Sequence, residues 1–483
     1  MKPTLGVIAF AMAACSAIAA KAQSIDAVTL TEFGRHQFPY VQFPDSFSAP
    51  VLSSRIDRLD RPYVYLACRD SGLYVWDITT PTAPQVVKRM LPPVFGGHKV
   101  INLEQDDDLL YAVLGELDSG TPGLAVLDIS DPADPQLLGQ YNHAPFTHGG
   151  AIVQVQGDYA YVGAMADGVL VLDISDPADP QYHGSYQPDP AWPGIANYPP
   201  NARGMAIADT IMYLAYDAGG LRVLSISDPA APYQLAQYLN PQHPILTNPA
   251  YNNVQLLGDR LYVATDFCGL EVLDVSDPLA PAQIEWLNPW GCFGFSWFGS
   301  DGHANELVLA RNDSLLVMSA GDSEVLVYDI TDPDLPQLKG GHIFPNDTAA
   351  AWGVDVHGDL VVGGFINNHG LAFQPFDSKF GGAVLFHMDV DLVTATSEAT
   401  TSAEGPVLWP QPASGPLHVR WGHEGLSPSQ VELFDAGGRS ITVPMHAIGL
   451  ALRIDVGTLA PGLYLLRVAG PDGARTLPVS VSR

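Results

Sequence analysis

The chain has 483 residues and carries 22 Lys and Arg against 52 Asp and Glu, a net charge of -30. Charge of that sign is repelled by phosphate backbones and anionic lipid, which excludes nucleic acid as a partner. The acidic residues are spread over the whole length, as on a solvated, soluble surface, and the length suits two or three domains or one large all-β unit.

Residues 2–22 open with Lys2, continue as an apolar run from Leu5 to Ala14, and end on the small residues Ala20 and Ala22 before Gln23. That is the layout of a secretory signal peptide. It is too short for a bilayer span, and no later segment offers ~18 uninterrupted apolar residues, so no transmembrane segment is expected. Beyond it lie Cys68, Cys268 and Cys292, an odd number that leaves at least one thiol unpaired within the chain. An oxidising compartment permits a Cys268–Cys292 bridge without deciding it.

Self-similarity dominates the next several hundred residues. An apolar strand leads into Gly-Leu-x-Val-x-Asp-Ile-Ser-Asp-Pro-x-x-Pro at residues 72–84, 123–135, 168–180, 220–232 and 269–281, and with variation at 324–336. A seventh, decayed copy ends at Val384-Leu385-Phe386-His387. Counted at the Asp slot (Asp77, Asp128, Asp173, Ser225, Asp274, Asp329, His387), the intervals are 51, 45, 52, 49, 55 and 58 residues. A period near 50 predicts an all-β propeller of about seven blades over residues 23–390.

Each copy reads as four strands. In the third, residues 150–156 form the innermost strand, Gly157-Asp158 a hairpin turn, 159–163 the second strand, 169–174 the third and 181–186 the outer one. No comparable stretch has a 3.6-residue apolar rhythm, so helix content should be low. In the Ser-Asp-Pro-x-x-Pro segment, Asp and Ser side chains fold back on nearby amides while each Pro fixes φ and withholds a donor, which ends the third strand. The same carboxylates invite calcium, but they lack the dense acidic and glycine spacing of a calcium loop. Ahead of the first full blade, Ala27-Val28-Thr29-Leu30 is a β-prone run suited to supply the missing outer strand of the last blade.

The phrase Gly168-Val169-Leu170-Val171-Leu172-Asp173-Ile174-Ser175-Asp176-Pro177-Ala178-Asp179-Pro180 resembles the LVIVD repeat family of bacterial surface propellers. The likeness runs over roughly residues 55–390 and implies a propeller fold and an exported location, with no settled activity to carry over.

Candidate ligand-binding residues come from register. His98, His148 and His303 each lie 13 residues before an equivalent second-strand position, Tyr111, Tyr161 and Leu316. This sets all three near the start of innermost strands, at one mouth of the central channel, either as ligands to a transition metal of unknown identity or as hydrogen-bonding links between blades. Aromatics gather in the connections into innermost strands: Trp286, Trp290, Phe293, Phe295, Trp297 and Phe298 in 286–298, and Trp192, Tyr198 and Arg203 in 188–203. They either stack on sugars and grip peptides, with Arg203, Trp290 and Trp297 as contacts, or fold down as a hydrophobic plug. No nucleophile elbow, zinc-protease helix, phosphate loop or dinucleotide fingerprint occurs, so no cofactor is implied. The expected function is recognition or adhesion of a glycan or protein through loops on one face. The alternative is a metal-assisted hydrolase or lyase at the channel mouth, with the three histidines as ligands or acid–base groups.

Residues 391–405 are rich in Thr, Ser, Ala and Glu, the composition of a linker. From 406 to 483, short alternating runs separated by Gly and Pro suit a small antiparallel β-sandwich. Three ordered motifs, Trp409-Pro410-Gln411-Pro412-Ala413-Ser414-Gly415, Leu433-Phe434-Asp435-Ala436-Gly437-Gly438-Arg439 and Leu459-Ala460-Pro461-Gly462-Leu463-Tyr464, resemble the C-terminal sorting domain of the type IX secretion system of Bacteroidetes. Gln411 stands where the first motif usually has Asn. The resemblance implies passage through the periplasm, engagement of that machinery, removal of the tail, and either attachment to the outer surface or release.

Overall fold

The structure, a computed structural model, describes residues 25–38, 51–116, 119–194, 199–244, 249–292, 302–321, 324–344, 349–367, 378–392, 406–409, 413, 415–421, 426–435, 439–448, 451–470 and 473–482. The signal peptide expected at 1–22 lies outside these residues, as does the linker expected at 391–405 apart from Asp391 and Leu392, which end a strand. Helical structure among the described residues is limited to short 3-10 turns. The rest is strand and connection, as repeats rich in Val, Leu and Tyr with Gly and Pro punctuation dictate.

Four-stranded antiparallel units recur along the chain, at 53–90, 99–142, 152–186, 204–238, 251–287 and 304–343. These are blades one to six. The third has its strands at Ile152–Gln156, Tyr159–Gly163, Val169–Asp173 and Gln181–Tyr186, within a residue or two of the bounds expected from sequence. Blade seven takes three strands from 350–392 and its fourth from the other end of the chain. There Ile25–Gln37 runs antiparallel to Gly382–Leu392, pairing Ile25 with Leu392 and Gln37 with Gly382.

The N-terminal strand also touches blade six, running parallel to it at Val28–Gly340 and Thr29–Gly341, so blades six and seven merge into one eight-stranded sheet. Glycine is required at this seam. A Cβ on Gly340, at φ 146°, would lie 1.9 Å from the Val28 carbonyl oxygen.

The ring closes on apolar contact. Each innermost strand touches the next, and that of blade seven touches that of blade one. No blade can bury its apolar face alone, and the cores lie between blades. Tyr65, Val75 and Met90 of blade one pack on Leu103, Leu110 and Ala112 of blade two. Val64, Leu66 and Trp76, on the other side of blade one, pack on Val362, Ala383 and Leu385 of blade seven. Burying one such side chain stabilises by about 1.5–3 kcal/mol, which is how a dozen per interface hold the ring.

The Ser-Asp-Pro turns behave as their chemistry predicts. The Asp77, Asp128, Asp173, Asp274 and Asp329 carboxylates each accept the backbone N–H two residues on, at 2.8–2.9 Å. The second Asp of the phrase repeats the device, Asp176 accepting from Ala178 N at 3.0 Å. Hydrogen bonds to the neighbouring residue hold the Asp77 and Asp173 carboxyls below the usual carboxylate range.

The tail forms two four-stranded sheets from strands within 407–481. Leu417, Val419, Leu433, Leu452, Ile454, Leu466 and Val479 fill the space between them.

Candidate functional site at the channel mouth

Where the seven innermost strands begin, each blade sets one residue or two around the mouth of the channel. The collar consists of Leu52, Ile101 with Asn102, Ala151, Arg203, Asn252 with Asn253, Asn305 with Glu306, and Trp352, around about 30 Å³ of free space. In four blades the innermost strand breaks register with its neighbour at this level: between Val100 and Asn102, Tyr251 and Asn253, Ala304 and Leu307, and Ala351 and Gly353. The residues passed over are Ile101, Asn252, Asn305 with Glu306, and Trp352, all members of the collar. A bulge gives up ladder pairing to re-aim a side chain, and here it does so around one rim.

Two collar residues meet across the channel. The Arg203 guanidinium of blade four lies 5.5 Å from the centre of the Trp352 ring of blade seven, in cation–π range. Gly204, next to Arg203, lets blade four approach blade five: a Cβ there would meet Asn252 O and Asn253 Cα at 2.6 Å.

The amides beside them are held by the neighbouring strand. Asn252 Nδ2 donates to Ala304 O at 2.9 Å, and Asn305 Nδ2 to Ala351 O at 2.9 Å. Asn102 Nδ2 donates to Ser53 Oγ while its Oδ1 accepts Val153 N, linking blades one, two and three. The Asn252 and Asn253 Oδ1 atoms are buried with no hydrogen-bond partner. Glu306 Oε2 accepts Val354 N at 3.0 Å, and burial pushes its carboxyl up to about 7 against the pull of that bond and of Arg55 and Arg203.

Below the collar the channel widens to about 250 Å³ with polar walls. Arg55 Nη2 donates to Glu104 Oε2 at 2.8 Å and its Nη1 to Asp355 Oδ1 at 3.1 Å. Asp355, with no exposure, also accepts from Arg58 Nη2 and Ile56 N at 2.5 and 2.7 Å. The network spans blades two, one and seven. Burial lowers the pKa of Arg55, but the Glu104 and Asp355 carboxylates outweigh that and hold it above its ordinary value.

The residues expected from sequence fall in different places. Arg203 is on the collar. His98, His148 and His303 precede innermost strands as their register implies, but none lines the mouth. His98 is half-buried, its N–H donating to Phe95 O at the end of a 3-10 turn. His148 Nδ1 sits 3.0 Å from Asp167, whose other oxygen accepts both Thr147 N and His148 N. His303 is fully buried with Nδ1 2.6 Å from Asp266 Oδ1, joining blade six to blade five. Among the described residues, no group of three His, Cys, Asp or Glu is placed to hold a metal ion.

Trp290 is 6 % exposed and packs with Tyr262, Ala304 and Leu316 in the core between blades five and six, so its indole offers solvent no stacking face. Trp297 lies outside the described residues, as do Tyr198, Phe293, Phe295 and Phe298. Trp286 and Trp192, the other tryptophans of the two segments, are half-buried, and Asp189, Pro190 and Ala191 beside Trp192 are exposed. Cys268 and Cys292 form a disulfide that ties the start of one to the Asp266–Cys268 turn, and Cys68 is a buried free thiol. In the other, Trp192 lies against the guanidinium of fully buried Arg222, 4.8 Å from ring centre, while Arg222 Nη2 donates to the Asp189 and Trp192 carbonyls. Sequence reasoning missed Trp352, Asn252, Asn253, Asn305 and Glu306. For Asn252, Asn305 and Trp352 the signal was a polar or aromatic residue at the register position where other blades have Leu, Ile or Ala; Asn253 and Glu306 stand one residue on from it.

Comparison with known families agrees with this architecture. The LVIVD repeat matches residues 62–91, 120–143, 151–188, 201–239 and 251–287, which are blades one to five, and the secretion system C-terminal sorting domain matches 407–477. The chain carries LVIVD repeats in a propeller and a secretion system C-terminal sorting domain in its tail. Among solved structures, the RRP9 WD40 repeats align with a TM-score of 0.53 at 11 % identity, covering 76 % of this chain and 100 % of that one. U3-55K aligns at 0.52 and 11 %, over 76 % and 99 %. Raptor of Chaetomium thermophilum aligns at 0.51 and 10 %, over 75 % and 30 %. These likenesses show that the LVIVD propeller has a WD40-like fold. No curated protein matches it in sequence. The tail marks the LVIVD propeller for export, to the outer surface or the medium, and for the machinery that reads such tails. Among the described residues, no helix is long and apolar enough to cross a membrane.

Proposed function

We propose that this exported propeller is a binding or adhesion module that recognises a glycan or a protein through the face on which the collar opens. The observation that carries the reading is the collar. Seven blades converge on one rim and four of them break strand pairing there, with Arg203, Trp352 and the Asn252–Asn253 amides among its residues. Such a set offers hydrogen-bond donors, acceptors and an aromatic ring at one place on a rigid scaffold, which is the composition of a recognition site. The second strand's turn in one blade bridges to the strand entering the next, at Arg69–Val100, Gly120–His148, Met165–Ala202 and Asp217–Tyr251. These bridges support the loops of that face as a continuous surface.

The test is binding of the mature chain to glycan and surface-protein arrays, with Arg203→Ala and Trp352→Ala variants alongside. Saturable binding weakened by both variants is the expected result. A chain that binds nothing on either array, while its far-UV spectrum reports a folded β protein, overturns the reading.

A further inference from the structure

We propose that the collar is a sugar subsite that takes the hydroxyl-bearing end of a glycan, an inference that rests on the binding function just proposed and narrows it to one ligand class. The starting point is an unfilled hydrogen-bonding requirement. Asn252 and Asn253 are 6 % and 7 % exposed, both line the mouth, and the Oδ1 of each has no partner. The Asn252 amide is not free to turn over, because its Nδ2 donates to Ala304 O. Its oxygen is therefore fixed as an acceptor facing away from that bond. Buried acceptors without donors are costly, and a native structure that keeps two side by side has a use for them.

Their adjacency is itself built. Successive residues of a regular strand point to opposite faces, yet Asn252 and Asn253 both line the rim because strand pairing shifts between Tyr251 and Asn253. Facing them on the same rim are the Arg203 guanidinium, which only donates, and the indole of Trp352.

The occupant must donate to two amide oxygens and accept from a guanidinium within the same small space. An ammonium group only donates and a carboxylate only accepts, so each meets half of the requirement. A hydroxyl does both, and two hydroxyls on adjacent carbons do so at the spacing of neighbouring side chains. The C–H face of a pyranose supplies apolar surface for Trp352. About 30 Å³ of free space in the collar admits the leading hydroxyls of a ring and not the middle of a polymer, so the end of the glycan is what is read.

The experiment titrates the mature chain with methyl glucoside, methyl galactoside and methyl mannoside, each to about 20 mM, followed by saturation-transfer NMR and indole fluorescence. At least one is expected to bind, with affinity falling by about tenfold or more in Asn253→Ala and in Trp352→Ala, both checked for native fold by circular dichroism. The unrelated turn variant Asp173→Ala serves as the control and is expected to bind as the parent does. Binding of none of the three glycosides, or binding unchanged by both collar variants, overturns the proposal. Array binding to a glycan that survives both variants removes the collar as the subsite while leaving the recognition reading intact. Binding to a protein alone removes the sugar while leaving that reading, and silence on every probe removes both.

Discussion

The turn after each third strand and the collar at the channel mouth are built by the same repeat, yet they use it in opposite ways. In the turn, one device is copied: the carboxylates of Asp77, Asp128, Asp173, Asp274 and Asp329 make the same bond to the N–H two residues on. The third and outer strands add a register shift at the same place in six blades, from Val75–Trp76 to Val327–Tyr328. At the collar, equivalent positions hold Leu52, Ile101, Ala151, Arg203, Asn252, Asn305 and Trp352, and nothing is repeated beyond one pair of asparagines. Identity from blade to blade marks what every blade needs in order to exist. Divergence at a shared position marks what only the assembled ring can use.

The contrast can be broken most forcefully just below the collar, where a divergent residue is structural. Asp355→Ala leaves Arg55 and Arg58 without their buried partner, and a loss of about 3–5 kcal/mol is expected by urea unfolding. A second test uses pH. Glu271 is fully buried between blades four and five, accepting from the Tyr238 and Tyr251 hydroxyls at 2.6 and 3.2 Å, and burial pushes its carboxyl up to about 7. The folded state thus holds a proton that the unfolded chain has already released. Stability should fall as pH rises from about 4.5 to about 7 and level off above, with Glu306 adding to the same slope. Glu271→Gln should roughly halve that slope and raise stability at pH 8 by roughly 2–3 kcal/mol, read from melting curves across the range.

Smaller effects separate the two regions directly. Asp173→Ala removes the two exposed turn bonds from Ser175 N and Oγ and should cost no more than about 1 kcal/mol in melting experiments, with ligand binding untouched. Arg203→Ala should cost about 0.5 kcal/mol, the worth of an accessible cation–π contact, yet weaken binding on the arrays. A large stability loss from Arg203→Ala would place it with Asp355 and erase the distinction.

Much of the fold was legible because a repeat multiplies its own signal. Seven copies of one phrase set the blade number, and Ala27-Val28-Thr29-Leu30 fell inside the strand that completes blade seven. The site was less legible. Arg203 reached the collar, but Trp290 is core, and composition could not show it. What buries its indole is the absence of a side chain at Gly302, whose Cβ would lie 2.1 Å from the ring. Histidine register located three strand starts correctly in the chain but not where the rings turn. His148 and His303 each find an aspartate, Asp167 and Asp266, that is distant in sequence and near only after folding. Asn252 and Trp352 were hidden for another reason. A bulge shifts the two-residue alternation by one, so side chains that simple alternation sends into the blade interface arrive at the rim.

The strand Ile25–Gln37 carries one more implication. It precedes every blade in the chain, and the strand it seals, Gly382–Leu392, comes after nearly all of them. During synthesis or transit, no partial product has a circle: the outermost piece of the final blade is made first and must wait, with its edge unpaired, until the last blade emerges. Shortening the propeller from either end therefore removes the same joint, and a fusion placed against residue 25 burdens the seam and not a free end.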